Sequence, residues 1–248
     1  MKKLIIVQAR MTSARLPGKV MKIVCGKPLL EHFINRLKRV KYADQIVIAT
    51  TINDIDNQIV DLCKKLDISY YRGSEEDVLD RYYKAALEYK GDIIARITSD
   101  CPLIDPEVVD MVIDYYHKHK DTYDFVSTVL ERTFPRGMDV EVFPFKVLKE
   151  AFEEATSIPD REHVTPYIRM RPQRYSLHNI TYKKDFSYHR WTVDTEEDLE
   201  LITKIFDSLF YVNPNFSLED MLDLVDKNQD WININKHITQ KRYGKYNN

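Results

Sequence analysis

The chain has 248 residues, 44% hydrophobic and 31% charged, which suits one large α/β domain or one domain with a small appendage. Its formal net charge of −2 argues against a nucleic-acid binder, and no apolar run approaches the roughly eighteen residues of a membrane span. Cys25, Cys63 and Cys101 are odd in number and far apart, so they read as buried small hydrophobes of a reducing compartment, with neither a disulfide framework nor a zinc site.

Residues 3–7 are a short apolar run that reads as a first buried strand. The run stops at Gln8 and Arg10, too soon for a signal-peptide core, and no small-residue cleavage site follows. Residues 28–40 place Leu29, Leu30, Phe33, Ile34 and Leu37 at helical spacing. Residues 45–49 predict a second strand, followed by a polar turn at Asn53 and Asp54 and a helix over 56–66. Residues 68–71 predict a third strand, 78–89 a helix and 92–97 a fourth strand. A helix over 105–118 carries Pro106 in its first turn, and 124–128 predicts a fifth strand. This alternation implies right-handed βαβ units and a mostly parallel sheet buried on both faces. In such sheets ligands bind beyond the carboxyl ends of the strands.

The rhythm changes after about residue 132. Residues 139–143 alternate in polarity and read as antiparallel, 146–155 and 163–169 as helices, and 174–180 and 187–193 as further strands. Residues 196–210 and 218–227 are amphipathic helices, and the basic, polar tail 236–248 is expected to fray. With no repeat and no linker, residues 1–248 read as one domain with a subdomain near 132–190.

The loop after the first strand carries the densest signal. No Asp or Glu occurs before Glu31, whereas Arg10, Arg15, Lys19, Lys22 and Lys27 crowd between the first strand and the first helix or its opening turn. Uncompensated positive charge at a strand end suits a triphosphate: arginine offers forked donors, lysine a mobile point charge, and Gly18 lets backbone N–H groups approach phosphate oxygens. A Walker P-loop and a dinucleotide fingerprint are both absent. A basic loop that binds nothing is the plain alternative.

Asp100 closes the fourth strand, and Asp194 follows the apolar run 191–193. Two carboxylates at neighbouring strand ends can hold Mg²⁺, which takes few protein oxygens, several waters and substrate phosphates. Asp194 also reads as the N-cap of the next helix and Asp100 as a turn former before Cys101-Pro102. Asp105 and Asp198 read as helix-start and surface residues. Arg72 and Ser74 follow the third strand. Ser74 can cap the next helix, while Arg72 and Arg81 are phosphate contacts or solvated side chains, with Asp80 beside Arg81 as a local ion-pair partner.

Gln8-Ala-Arg10 followed by Arg15-Leu-Pro-Gly-Lys19 resembles the signature of the sugar cytidylyltransferases, in particular the spore-coat polysaccharide biosynthesis F-type branch. The family activates 3-deoxy-manno-octulosonic acid and the sialic, pseudaminic and legionaminic acids. The resemblance continues through Arg72-Gly-Ser74, Asp77-Val-Leu-Asp-Arg81, Arg96-Ile-Thr-Ser-Asp100-Cys-Pro-Leu, Pro135-Arg-Gly137, Glu141-Val-Phe, Arg161-Glu-His-Val-Thr165 and Arg190-Trp-Thr-Val-Asp194. It implies a Rossmann-like nucleotide-diphospho-sugar transferase fold (GT-A-like): a mixed, mainly parallel sheet flanked by helices, with a small α+β subdomain. It implies transfer of CMP from CTP to an anionic sugar, with Arg10, Lys19, Asp100 and Asp194 catalytic and Mg²⁺ on Asp100 and Asp194. Gln8, Ala9, Arg10, Arg15, Gly18, Lys19, Arg72, Ser74, Arg81 and Asp100 would bind the nucleotide. Arg136, Glu141, Arg161 and His163 would bind the acceptor, although His163 also reads as a helix residue packed on Tyr167. A cytoplasmic homodimer without nucleic-acid or membrane partners completes the expectation.

Two other functions use the same ingredients. A GT-A-type glycosyltransferase would usually show Asp-x-Asp after a central strand, where this chain has Asp100-Cys101-Pro102. A nucleotide-binding protein of the same fold without catalysis has no need of Lys19, Asp100 and Asp194.

Overall fold

The computed structural model describes residues 1–239. Its strands are β1 (Lys3–Gln8), the short pair β2 (Ile23–Val24) and β3 (Lys27–Pro28), β4 (Gln45–Thr51), β5 (Ser69–Gly73), β6 (Ile93–Thr98), β7 (Phe125–Ser127), β8 (Glu141–Pro144) and β9 (Leu177–Asn179). Its helices are α1 (Leu29–Leu37), α2 (Asn57–Lys65), α3 (Val78–Glu88), α4 (Pro106–Lys118), α5 (Phe145–Glu154), α6 (Ile158–His163), α7 (Pro166–Arg169), α8 (Glu196–Leu209), α9 (Leu218–Lys227) and α10 (Ile232–Asn235).

The main sheet runs β5-β4-β1-β6-β8-β7-β9, and β8 alone is antiparallel to its neighbours β6 and β7. The other pairings are parallel. From β1 the chain builds β4 and β5 on one side, then returns to lay β6 on the other. This order makes β1 and β6 the flanks of a topological switch point, with their carboxyl ends at its mouth.

Helices cover both faces, so alternate residues of β1 enter different cores. Ile5 and Val7 pack with Phe33 of α1, Val109 of α4, Ile205 of α8 and Met221 of α9. Leu4 and Ile6 pack with Leu79 and Tyr82 of α3 and Leu148 of α5. Each buried side chain of this size contributes on the order of 1.5–3 kcal/mol. Polar ends fix the helix limits. Asp105 caps α4 ahead of Pro106, and reciprocal Thr195–Asp198 and Ser217–Asp220 capping boxes open α8 and α9. Among the described residues no helix is long and apolar enough to cross a membrane.

Four sequence expectations need correction. The helix expected over 163–169 shrinks to α7, with the preceding α6 ending at His163, because Val164 takes φ 70° and Pro166, which lacks an N–H donor, opens a new turn. The strand over 187–193 does not form, since its backbone groups bond to two loops instead of a ladder. His189 and Arg136 carbonyls accept from Arg136 and Trp191, and Val193 N–H donates to the Asp100 carbonyl at 2.8 Å. Asp77, not Ser74, caps α3 by accepting from Asp80 N–H, while the Ser74 hydroxyl accepts from Asp77 N–H at 3.1 Å. Cys25 is only half-buried, though all three thiols are free. The expected fraying of 236–248 falls largely on residues 240–248, outside the described residues.

Candidate active site

A cleft of about 610 Å³ opens at the carboxyl ends of β1 and β6. Eight arginine or lysine side chains line it against five carboxylates, so an anion-seeking site sits on a chain of net charge −2.

The loop after β1 folds back through backbone bonds. Asp56, fully buried, accepts Met11 N–H at 2.7 Å, and Gly18 N–H donates to the Met11 carbonyl at 2.8 Å. Gly18 sits at φ 70°, a left-handed conformation that glycine adopts without a Cβ clash, and the turn Lys19–Met21 begins there. That turn sends Lys19 inward. Its Nζ donates to the Val193 carbonyl at 2.7 Å, to Asp194 Oδ1 at 2.8 Å and to Asp100 Oδ2 at 3.3 Å. Burial alone would push the Lys19 pKa down, but the fields of Asp100 and Asp194 outweigh it and hold it above 10.5. Burial likewise opposes ionisation of Asp100, and Lys19 overcomes it, so this carboxyl stays below its ordinary 3.8.

The two aspartates meet because the Asp100 carbonyl tethers the stretch before Asp194. It accepts Val193 N–H at 2.8 Å and the Thr192 hydroxyl at 3.3 Å. Asp194 then gathers further cations on Oδ2, Arg15 at 2.6 Å and Arg190 at 3.0 Å. Arg190 is held from behind by Asp198, which is wholly buried and not the surface residue the sequence suggested. Asp198 also bonds Asn235 and the Asp194 backbone, so the capping box of α8 doubles as the support of Asp194. The N-cap itself is Thr195, which leaves the Asp194 carboxylate facing the cations.

Two hard carboxylate groups converging on one cation form a donor set that suits a Mg²⁺-type ion, which draws its remaining ligands from water and phosphate. Among the described residues no group of three or more His, Cys, Asp or Glu forms a metal cluster. The Lys19 ammonium fills the point of convergence in this structure, so a divalent ion held by Asp100 and Asp194 would require Nζ to move aside.

The remaining predicted residues divide. Gln8, Ala9, Arg10 and Arg81 line the cleft with Arg15, Lys19, Asp100 and Asp194. The Ala9 N–H already donates to the Ala49 carbonyl at 3.2 Å, so that donor is not available to a base. Arg10 pairs with Glu75 at 3.5 Å. Arg81 is 1% exposed, its Nη1 bonds the Ser74 carbonyl, and burial lowers its pKa. Arg136, Glu141 and His163 also line the cleft. Glu141 is pinned by Arg96 at 2.5 Å and Thr165 at 2.8 Å, and burial holds the His163 imidazole below 6.5. Gly137 must be glycine, because a Cβ there would lie 2.5 Å from the Trp191 carbonyl oxygen.

Gly18, Arg72, Ser74 and Arg161 do not line the cleft. Gly18 shapes the loop. Arg72 is committed to the Thr51 and Asn53 carbonyls and Asn57, all between 2.8 and 2.9 Å. Arg161 forks onto Asp77 and bonds the Phe152 carbonyl at 2.8 Å, tying α6 to the start of α3. Arg132 and Asp139, to which the sequence assigned no role, also line the cleft and pair with each other. They lie in irregular backbone, and only the sign of their charges hinted at the pair.

The model of the family described as "Cytidylyltransferase" matches residues 4–238. An uncharacterised protein of Methanocaldococcus jannaschii is 39% identical over 246 residues, covering 96% of each chain. The spore coat polysaccharide biosynthesis protein SpsF of Bacillus subtilis is 32% identical, covering 92% of this chain and 95% of its own. The structure of a cytidylyltransferase from Leptospira borgpetersenii superposes with a TM-score of 0.91 at 33% identity, covering 98% of this chain and 100% of that one. A cationic cleft at the switch point, two aspartates joined through one lysine and a family match over nearly the whole chain lead to one assignment: this nucleotidyltransferase belongs to the sugar cytidylyltransferase family.

Proposed function

We propose that this chain transfers CMP from CTP to a hydroxyl of an anionic sugar of the nonulosonic or octulosonic acid type. Pyrophosphate is released, and the product feeds surface polysaccharide or glycan synthesis. The observation that carries the reading is the Lys19 ammonium within 3.3 Å of both Asp100 and Asp194 at the ends of β1 and β6. Mg²⁺ on those aspartates, when bound, supplies charge neutralisation at the phosphates.

The protein's own part is positioning and electrostatics. Arg10, Arg15 and Lys19 line the cleft and offset the charge that builds on departing pyrophosphate. Arg136, also in the lining, donates to the acceptor carboxylate. His163, kept neutral by burial, orients the acceptor hydroxyl for in-line attack on the α-phosphorus. In this reading 132–190 is the acceptor side of a single nucleotidyltransferase domain spanning 1–248. The enzyme works in the cytoplasm as a homodimer, and sedimentation checks its mass.

The test is a grid of the four nucleoside triphosphates against candidate sugar acids, scored by pyrophosphate with and without Mg²⁺. CTP-specific, metal-dependent release with one acid is expected. Silence across the whole CTP row, or transfer from a nucleotide-sugar without pyrophosphate, sinks the proposal.

A further inference from the structure

Away from the cleft, a smaller cavity of about 130 Å³ lies between α1 and the end of α8. Its lining includes Lys27, His32, Arg36 and Arg39 and contains no Asp or Glu. Arg36 is 3% exposed. Its Nε donates to the Ile104 carbonyl at 2.7 Å and its Nη2 to the Phe216 carbonyl at 3.0 Å, while Nη1 is buried without a hydrogen-bond partner. Arg39 repeats the pattern: Nη2 reaches the Asn215 carbonyl at 3.0 Å and Nη1 is buried without a partner.

The nearby acids are engaged elsewhere. Asp105 accepts the N–H groups of Glu107 and Leu218, and Glu31 is shared between Lys27 and Lys65, each at 3.4 Å. Burial pushes Arg36 down to about 10, with Asp105 opposing that shift and Arg39 reinforcing it. His32 is also held below its ordinary value, by burial first and then by Lys27 and Arg36 against Glu31, and its Nε2 bonds the Val24 carbonyl at 2.7 Å. Buried cations without an anionic partner are unfavourable, and guanidinium forks match oxyanions. A nucleotide needs several hundred cubic ångströms, more than this cavity has.

We propose that this cavity is a second anion site, which takes a small inorganic oxyanion such as phosphate on Arg36, Arg39 and Lys27. The test compares the wild-type unfolding midpoint in phosphate and in sodium chloride of equal ionic strength with that of a Lys27→Met/Arg39→Gln protein. At ten times its Kd, phosphate bound here raises the midpoint by about 3–5 °C, and the double variant loses that increment. Phosphate entering the large cleft lifts both proteins alike. Equal rises in the two proteins, or a wild-type rise matched by chloride, overturn the proposal. Should the double variant fail to fold, Arg39→Gln alone, at a half-buried side chain, makes the same comparison.

Discussion

Two parts of the active-site lining are made by different means. Gln8 and Asp100 stand at the ends of β1 and β6, whose parallel register is fixed from Lys3–Ile93 to Gln8–Thr98 by a backbone ladder, and the loop carrying Arg10 and Lys19 springs from there. The lining from the segment after β7 has little regular structure, and side-chain pairs pin it: Arg132 on Asp139, and Arg161 on Asp77 behind it. A ladder sets positions whatever the side chains are, which under the proposed function suits the nucleotide side. Irregular backbone held by side-chain pairs changes shape whenever one pair changes, which under the proposed function suits the acceptor side.

The contrast breaks most sharply at Lys19. Lys19→Ala is expected to cost about 3 kcal/mol of transition-state stabilisation, a roughly 100-fold or larger fall in kcat/KM, with the fold retained by circular dichroism. A near-normal rate would remove the strand-end loop from catalysis. Two arginines of the segment 132–190 that look alike in sequence should separate. Arg136→Gln is expected to raise the acceptor KM roughly tenfold, about 1.4 kcal/mol, and leave the CTP KM unchanged. Arg161→Gln is expected to leave both KM values within about twofold and lower stability to denaturant by about 1–2 kcal/mol, since it breaks a half-buried fork and strands Asp77. Matching KM effects in the two variants would erase the distinction between lining and supporting arginines.

The smallest effect sharpens the centre of the site through pH. The folded state depresses the Asp100 pKa, so its contribution to stability is present above the unfolded value near 3.8 and is lost as pH falls through the lower folded value. Lys19 is raised above 10.5, so its contribution holds below that value and is lost as pH climbs past the folded one. The stability gap between wild type and Asp100→Asn should therefore be steady near neutrality and close in strong acid. Desolvation offsets much of a buried pair, which keeps the gap modest. A gap that widens on acidification contradicts the Lys19–Asp100 pairing.

Much of this was legible in the chain. The apolar runs of β1, β4 and β6 and the spacing in α1, α8 and α9 report their own burial, because period and composition are local properties. The basic stretch Arg10–Lys19 was equally readable, since its charge has no acidic neighbour in sequence. Residues 187–193 misled because an apolar run states that a segment is buried without saying whether a ladder or a loop satisfies its backbone. Arg72 and Arg161 misled because a guanidinium reads the same whether it faces a ligand or a carbonyl.

By itself, then, the sequence determined the α/β alternation, the cationic loop and the identity of the two aspartates. Tertiary structure decided that Asp100 and Asp194, 94 positions apart, share one lysine, through a carbonyl of one bonding the strandless stretch before the other. It also decided which arginines face the cleft and which brace it. The physical reason is that hydrogen-bond satisfaction is a property of neighbours in space, and residue spacing along the chain carries no record of them.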